Sequence, residues 1–579
     1  MSNILLHHLT FLYGEDQASP LLDRVHSILS EHRARIAPRD GGLSQRDSIL
    51  ILYGDQVQSS REKPLQTLKK FCDTYLTDIV SGIHILPFYP WTSDDGFSVV
   101  DYRQIDPALG DWDDVSAIRN FRLMFDAVIN HISSQSEWFQ KFLQDDPGYR
   151  DYFITVEGEP NLSQVVRPRA LPLLTPFQTP SGEKRVWTTF SADQIDLNFK
   201  NPEVLLEVLD ILLLYAERGA DFIRLDAIAY MWKEIGTNCI HLPKTHAVVQ
   251  FLRAALNEVA SHVHLITETN VPHVDNISYF GDGTNEAQLV YNFALPPLTL
   301  HAFRTGDARI LSDWAKTLSL PSDKTTFFNF LASHDGIGLN PARGILPDEE
   351  INLLVSKNLE HGGLISFKQN ADGTQSPYEM NINYFDALSN PFLLPSPSSA
   401  METPPRTAAG ANFETIDLQV DRFIAAQAIM LSLVGVPGIY FHSLFGSRGW
   451  LEGVKQTGRN RTINREKLQF DEVQQELADK NSMRSNVFAR YSALLKARRA
   501  TPAFHPHGGQ NILNVHPLVF AVERISPDGN SRVVCLHNVS RQRISFSTKY
   551  GSATDIFTGQ TVSLETVRLE PYQLLWMKL

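Results

Sequence analysis

The stretch Ala220-Asp221-Phe222-Ile223-Arg224-Leu225-Asp226-Ala227-Ile228 decides how the rest of the chain is read. It has the apolar run of a buried strand, and it delivers an arginine and a carboxylate to its C-terminal end. Charges placed there are costly to bury unless each is hydrogen-bonded or used. Downstream, His264-Leu265-Ile266-Thr267-Glu268 repeats the pattern with one terminal carboxylate. Strand-end Asp and Glu also cap following helices, so either segment alone is ambiguous. As a pair, they fit the acid/base and nucleophilic work of glycosidic-bond chemistry.

Working outward, the helix before the central strand has Asn201 as a cap, Pro202 in its first turn and Gly219 after its last. Leu205, Val208, Leu209, Leu212 and Leu213 form an apolar stripe that suits it to cover a sheet. Short apolar, β-rich runs recur between helical segments at 48–53, 82–87, 123–130, 221–227, 264–268, 288–293, 326–333 and 436–441. This alternation predicts an α/β fold with a parallel sheet, and eight runs are the number that closes a (β/α)8 TIM barrel.

The expected layout has a helical extension over 1–46, barrel segments over 47–131, 198–335 and 421–500, and a C-terminal all-β domain over 501–579. Inserted subdomains follow the third strand (132–197) and the seventh (336–420). Long excursions at the strand C-termini are where barrels build substrate pockets. Within the second, 390–412 is dense in Pro, Ser and Ala and reads as an exposed loop.

At 579 residues the chain can bury a large core, and 43% hydrophobic with 20% charged residues is an ordinary globular composition. A net charge of -13 without basic clusters argues against nucleic-acid binding. Cys72, Cys239 and Cys535 lie too far apart for metal-ligand spacing and read as buried hydrophobes in a reducing compartment. The N-terminus lacks the basic region and apolar run of a signal peptide, and no stretch is apolar enough to span a bilayer. The expected location is cytoplasmic.

Two further segments end in chemistry-bearing residues, Phe125-Asp126-Ala127-Val128-Ile129-Asn130-His131 and Ser333-His334-Asp335-Gly336. In this order with Arg224-Leu225-Asp226 and Glu268, they resemble the four short regions of the α-amylase superfamily of retaining glycosidases and transglycosidases. The resemblance implies that Asp226 is the nucleophile, Glu268 the general acid/base and Asp335 a third carboxylate that binds sugar hydroxyls. It also implies that His131, Arg224 and His334 hold the glucosyl ring and orient the nucleophile.

A finer resemblance, to the sucrose-phosphorylase branch, rests on Gly82 to Phe88, Asp94-Asp95-Gly96-Phe97, Arg167-Pro168-Arg169, Lys233 to Thr237, Phe293 to Leu298 and Arg461-Thr462-Ile463-Asn464-Arg465. It implies that Asp94 and Arg461 bind glucosyl hydroxyls, that Phe97 and Phe190 form apolar walls with Tyr230 beside the sugar, and that Arg169 and Tyr378 meet phosphate or the leaving group. An alternative for Arg169 is a surface salt bridge.

Where sucrose phosphorylases carry a Tyr-Gln pair, this chain has Tyr378-Glu379, and the loop after Asp335 carries Arg343. Arg343 is expected either to pair with a carboxylate on the leaving group or to bridge Glu379. With Met231 to Glu234 and Asn340 to Gly344, this version looks most like the glucosylglycerate phosphorylases of that branch.

The expected reaction is therefore reversible phosphorolysis of 2-O-α-glucosylglycerate through a β-glucosyl-enzyme. Glucosylglycerol or sucrose are the rival substrates, and a hydrolase, a transglucosidase or a non-catalytic scaffold the rival classes. No metal or cofactor is implied beyond inorganic phosphate as co-substrate. The expected partners are the sugar and phosphate, with no nucleic acid and no membrane, and a homodimer is the assembly to test.

Overall fold

The computed structural model describes residues 2–370, 372–393 and 414–579. Its centre is a closed barrel of eight parallel strands. In chain order these are Ile49–Leu52, Gly82–Ile85, Arg122–Ala127, Ala220–Leu225, His264–Thr267, Leu289–Tyr291, Thr326–Asn329 and Val436–Tyr440. All eight apolar runs of the sequence are barrel strands. Several end earlier than the apolar run does: the third stops at Ala127, and His131–Ser133 leaves the barrel to pair antiparallel with Gln194–Asp196. Beyond that point the chain gives up ladder hydrogen bonds to aim side chains into the mouth of the barrel.

The helix Pro202–Glu217 is capped by the Asn201 side chain, which accepts from the Glu203 amide at 3.1 Å, and Gly219 follows in a positive-φ conformation at 98°. The apolar stripe is buried as its spacing predicts, but Leu206, Ile211 and Ala216 are buried as well. The N-terminal helices Ser2–Tyr13 and Glu15–Arg33 account for this, because they lie over the outer faces of Pro202–Glu217 and Pro243–Val259. The extension is helical to Arg33, and 37–44 has no regular structure.

The first excursion carries the hairpin Leu174–Thr179 with Gly182–Trp187. The second carries a three-stranded sheet in the order Ile337–Gly338, Gln375–Asn381, Leu364–Gln369. Gly336 makes that sheet reachable: a Cβ there would lie 2.5 Å from the Met380 carbonyl oxygen. Its absence lets the chain turn from Asp335 directly onto the strand that holds Tyr378 and Glu379. Of the Pro/Ser/Ala-rich stretch, 394–412 lies outside the described residues.

After Ala500 the chain forms a six-stranded sheet and a two-stranded sheet, an all-β unit. Buried Arg524 fixes it to the barrel by donating to the Ser432 carbonyl at 3.0 Å. The three cysteines are buried and unbridged. No described helix is long and apolar enough to cross a membrane.

Candidate active site

The C-terminal ends of the barrel strands open into a pocket whose lining includes Asp94, Phe97, His131, Arg169, Phe190, Asp226, Tyr230, Glu268, His334, Asp335, Tyr378 and Arg461. Twelve of the fifteen side chains singled out in the sequence thus share one cavity, although they span 94–461. The barrel explains the convergence, because parallel strands deliver every C-terminal end to the same face.

Arg224 lies beneath the pocket floor, fully buried, and organises it. It donates to Asp226 at 2.9 Å, pairs with Asp126, and stands 3.8 Å from Glu268. Asp126 is held from its other side by His84 Nε2 at 2.6 Å. Arg224 is therefore fixed from behind by one carboxylate and presents its charge to the two that line the pocket. Glu268 accepts a hydrogen bond from the Ala227 amide at 3.1 Å. That amide is aimed by the left-handed conformation of Ala227, φ 51° and ψ 31°, which links the position of Glu268 to the turn directly after Asp226.

A second network surrounds Asp335. Arg461 pairs with Asp335 at 2.5 Å and with Glu379 in a fork at 3.0 and 2.7 Å. Arg465, also buried, donates to the His334 carbonyl at 2.8 Å and to Asp95 at 2.7 Å, and lies 3.4 Å from Asp94. Asn464 donates to the Asp335 carbonyl at 2.9 Å. The His334 ring stacks on Phe97 at 4.6 Å with planes 4° apart, and His131 Nε2 donates to the Phe97 carbonyl at 2.8 Å. Phe190 packs against His131 and, edge to face, against Tyr230.

Residues 73–337 match the α-amylase catalytic-domain family. The chain is 51% identical over 574 residues, 99% of its own length and 98% of the relative's, to a glucosylglycerate phosphorylase of Allomeiothermus silvanus. It is 44% identical, with full coverage of both chains, to a glucosylglycerate phosphorylase of Escherichia coli. The chain belongs to the α-amylase superfamily. Its fold superimposes on the crystal structure of a sucrose 6F-phosphate phosphorylase from Thermoanaerobacter thermosaccharolyticum with a TM-score of 0.73, covering 92% of this chain and 100% of that one at 23% identity.

In this member of the superfamily the carboxylates are set apart by their surroundings. Burial pushes Glu268 up to about 7; Arg224 opposes the shift, while Asp226 and Asp335 add to it. Burial also raises Asp226, but Arg224 stands closer to it than to Glu268, so of the two Asp226 is the one held ionised. At Asp335 burial is outweighed by Arg461 and Arg465, which keep that carboxyl below its ordinary range. One carboxyl poised to carry a proton beside one kept as an anion is the division of labour that glycosidic cleavage uses.

Two expectations for the acceptor side need correction. Glu379 does not face the pocket: it is fully buried and its two oxygens are taken by Arg461, with a further bond accepted from Asn381. Arg343 is not brought into the pocket lining, and it does not bridge Glu379. After the turn Asn340–Ala342 its backbone is extended, and its side chain lies 3.5 Å from both Asp348 and the Pro377 carbonyl. Arg169 lines the pocket, its guanidinium 5.8 Å from the Tyr378 ring centre, and among the described residues it has no carboxylate within ion-pair distance.

Sequence reading missed the residues that hold this site from behind. His84, Asp95, Asn464 and Arg465 all lay in stretches that carried the family resemblance, yet nothing in their spacing assigned them contacts. Lys233 is another: its buried ammonium bonds Asp196 at 2.5 Å and Asn130 at 2.8 Å, tying the segment after Asp226 to the strand that starts at His131.

Proposed function

We infer that the chain is a retaining glycoside phosphorylase that converts 2-O-α-glucosylglycerate and phosphate reversibly into α-glucose 1-phosphate and glycerate. The observation that carries the reading is identity of 51% along 99% of the chain to an enzyme of that name, in a fold whose pocket joins paired carboxylates to an unpaired guanidinium.

In the proposed mechanism, Glu268 in its acid form donates a proton to the glycosidic oxygen as that oxygen's bond to the anomeric carbon breaks. Asp226 forms an ester to the same carbon from the opposite face, and glycerate leaves with the proton on its former bridging oxygen. Phosphate then attacks from the vacated face, its proton passes to Glu268, and the ester bond to Asp226 breaks. Two inversions give net retention. A value near 7 suits Glu268 to give and retake that proton at neutral pH. Asp335, Asp94 and Arg461 are placed to bind glucosyl hydroxyls, with Phe97, Phe190 and Tyr230 as walls. Phosphate competes with water only where a cation holds it, and Arg169 beside Tyr378 supplies one.

The test is phosphate release from α-glucose 1-phosphate by the purified protein, with glycerate, glycerol, fructose and fructose 6-phosphate in parallel. Release stimulated chiefly by glycerate is expected. Stimulation chiefly by another acceptor would overturn the substrate, and slow release indifferent to all would overturn the phosphorylase.

A further inference from the structure

We propose that Arg169 is the one seat for both anions of the reaction, the carboxylate of the departing acid and the incoming phosphate, which occupy it in turn. The proposal rests on the function inferred above and adds to it the residue that selects an anionic acceptor.

An inventory of positive charge at the pocket leads to this residue. Arg461 lines the cavity, but it is spent on two carboxylates, Asp335 at 2.5 Å and Glu379 at 2.7 Å. Arg224 and Arg465 are buried behind the walls and committed to Asp126, Asp226 and Asp95. His131 uses Nε2 on the Phe97 carbonyl, and His334 is buried and stacked on Phe97. Arg343 lies outside the lining, beside Asp348. Among the described residues this leaves Arg169 as the pocket cation without a counter-charge. Glu379 keeps Arg461 from sharing that role, because a buried carboxylate behind the Arg461 guanidinium cancels charge that would otherwise face the pocket.

Stereochemistry then forces the sharing. In a retaining double displacement the second nucleophile enters along the path the leaving group vacated. Glycerate and phosphate therefore reach the anomeric carbon from the same side, and a single cation on that side meets each of them. A carboxylate and a phosphate both present paired oxygens that match the guanidinium fork, and a neutral polyol does not. Acceptor choice follows from charge at Arg169, and Arg343 contributes little to it.

The experiment compares the full-length enzyme with Arg169→Gln, Arg169→Lys and Arg343→Ala, at saturating α-glucose 1-phosphate, using glycerate and glycerol as acceptors and phosphate in the reverse direction. In Arg169→Gln the glycerate-to-glycerol ratio of kcat/KM should fall about tenfold or more, and KM for phosphate should rise by a similar factor. Arg169→Lys should recover part of both losses. Arg343→Ala should leave the ratio within about twofold of wild type, the size of an exposed charge effect. Loss of phosphate binding alone in Arg169→Gln, or a collapse of the ratio in Arg343→Ala, would overturn the shared seat. Both outcomes differ from failure of the parent reading, in which wild-type enzyme itself shows no glycerate-dependent release.

Discussion

The glucosyl side of the pocket and its acceptor side are built on different principles. On the glucosyl side, charged groups are fixed by other charged groups: Asp226 by Arg224, Arg224 by Asp126, Asp126 by His84, and Asp335 by Arg461, which Glu379 holds in turn. On the acceptor side, Arg169 rests near the Tyr378 ring without a counter-charge, and Arg343 reaches only an exposed aspartate. A dense buried network resists reorganisation, because breaking one member leaves the rest uncompensated. The sparse side can change its preferred acceptor through single residues, at little cost to the machinery that cleaves the bond.

That contrast orders the expected effects of substitution. Asp226→Asn removes the nucleophile, and turnover should fall by about 10^4-fold or more; a variant with substantial activity would break the assignment. Glu268→Gln should cost roughly 10^2- to 10^4-fold and abolish the alkaline limb of the pH profile. In wild type that limb follows from Glu268 near 7: the acid form is needed for the first step, so kcat/KM for the glucosyl donor should be level below that pH and fall above it, about tenfold per unit.

Glu379→Gln keeps the shape but leaves Arg461 with a single strong counter-charge, Asp335. Removing one partner of a buried pair costs about 3–5 kcal/mol. Thermal unfolding should therefore shift down, and glucosyl-donor kcat/KM should drop. An unchanged melting temperature would show that the network is less tightly coupled than its distances imply. Arg343→Ala should have the smallest effect, within about twofold on any acceptor.

How much of this was legible in the sequence follows the same division. The barrel could be read because each strand is a short apolar run, buried on all sides, and because Asn201, Pro202 and Gly219 punctuate the helix between two of them. The pocket residues could be read because strand ends in a parallel barrel converge whatever their separation in the chain. The supports could not: the pairing of His84 with Asp126, or of Arg465 with Asp95, depends on strand neighbours and loop paths that spacing does not encode.

Arg343 illustrates the limit most clearly. Its position in a loop after Asp335 suggested a place at the acceptor, but the turn Asn340–Ala342 carries it past the pocket. Glu379 was correctly singled out beside Tyr378, yet alternation along the strand Gln375–Asn381 sends the two side chains to different surroundings, Tyr378 to the cavity and Glu379 to Arg461.

The most direct test of the central claim is to follow 2-O-α-glucosylglycerate with excess phosphate and enzyme by NMR and identify the first product. The account predicts α-glucose 1-phosphate and glycerate in equal amounts. Free glucose, or the β-anomer of the phosphate, would contradict it.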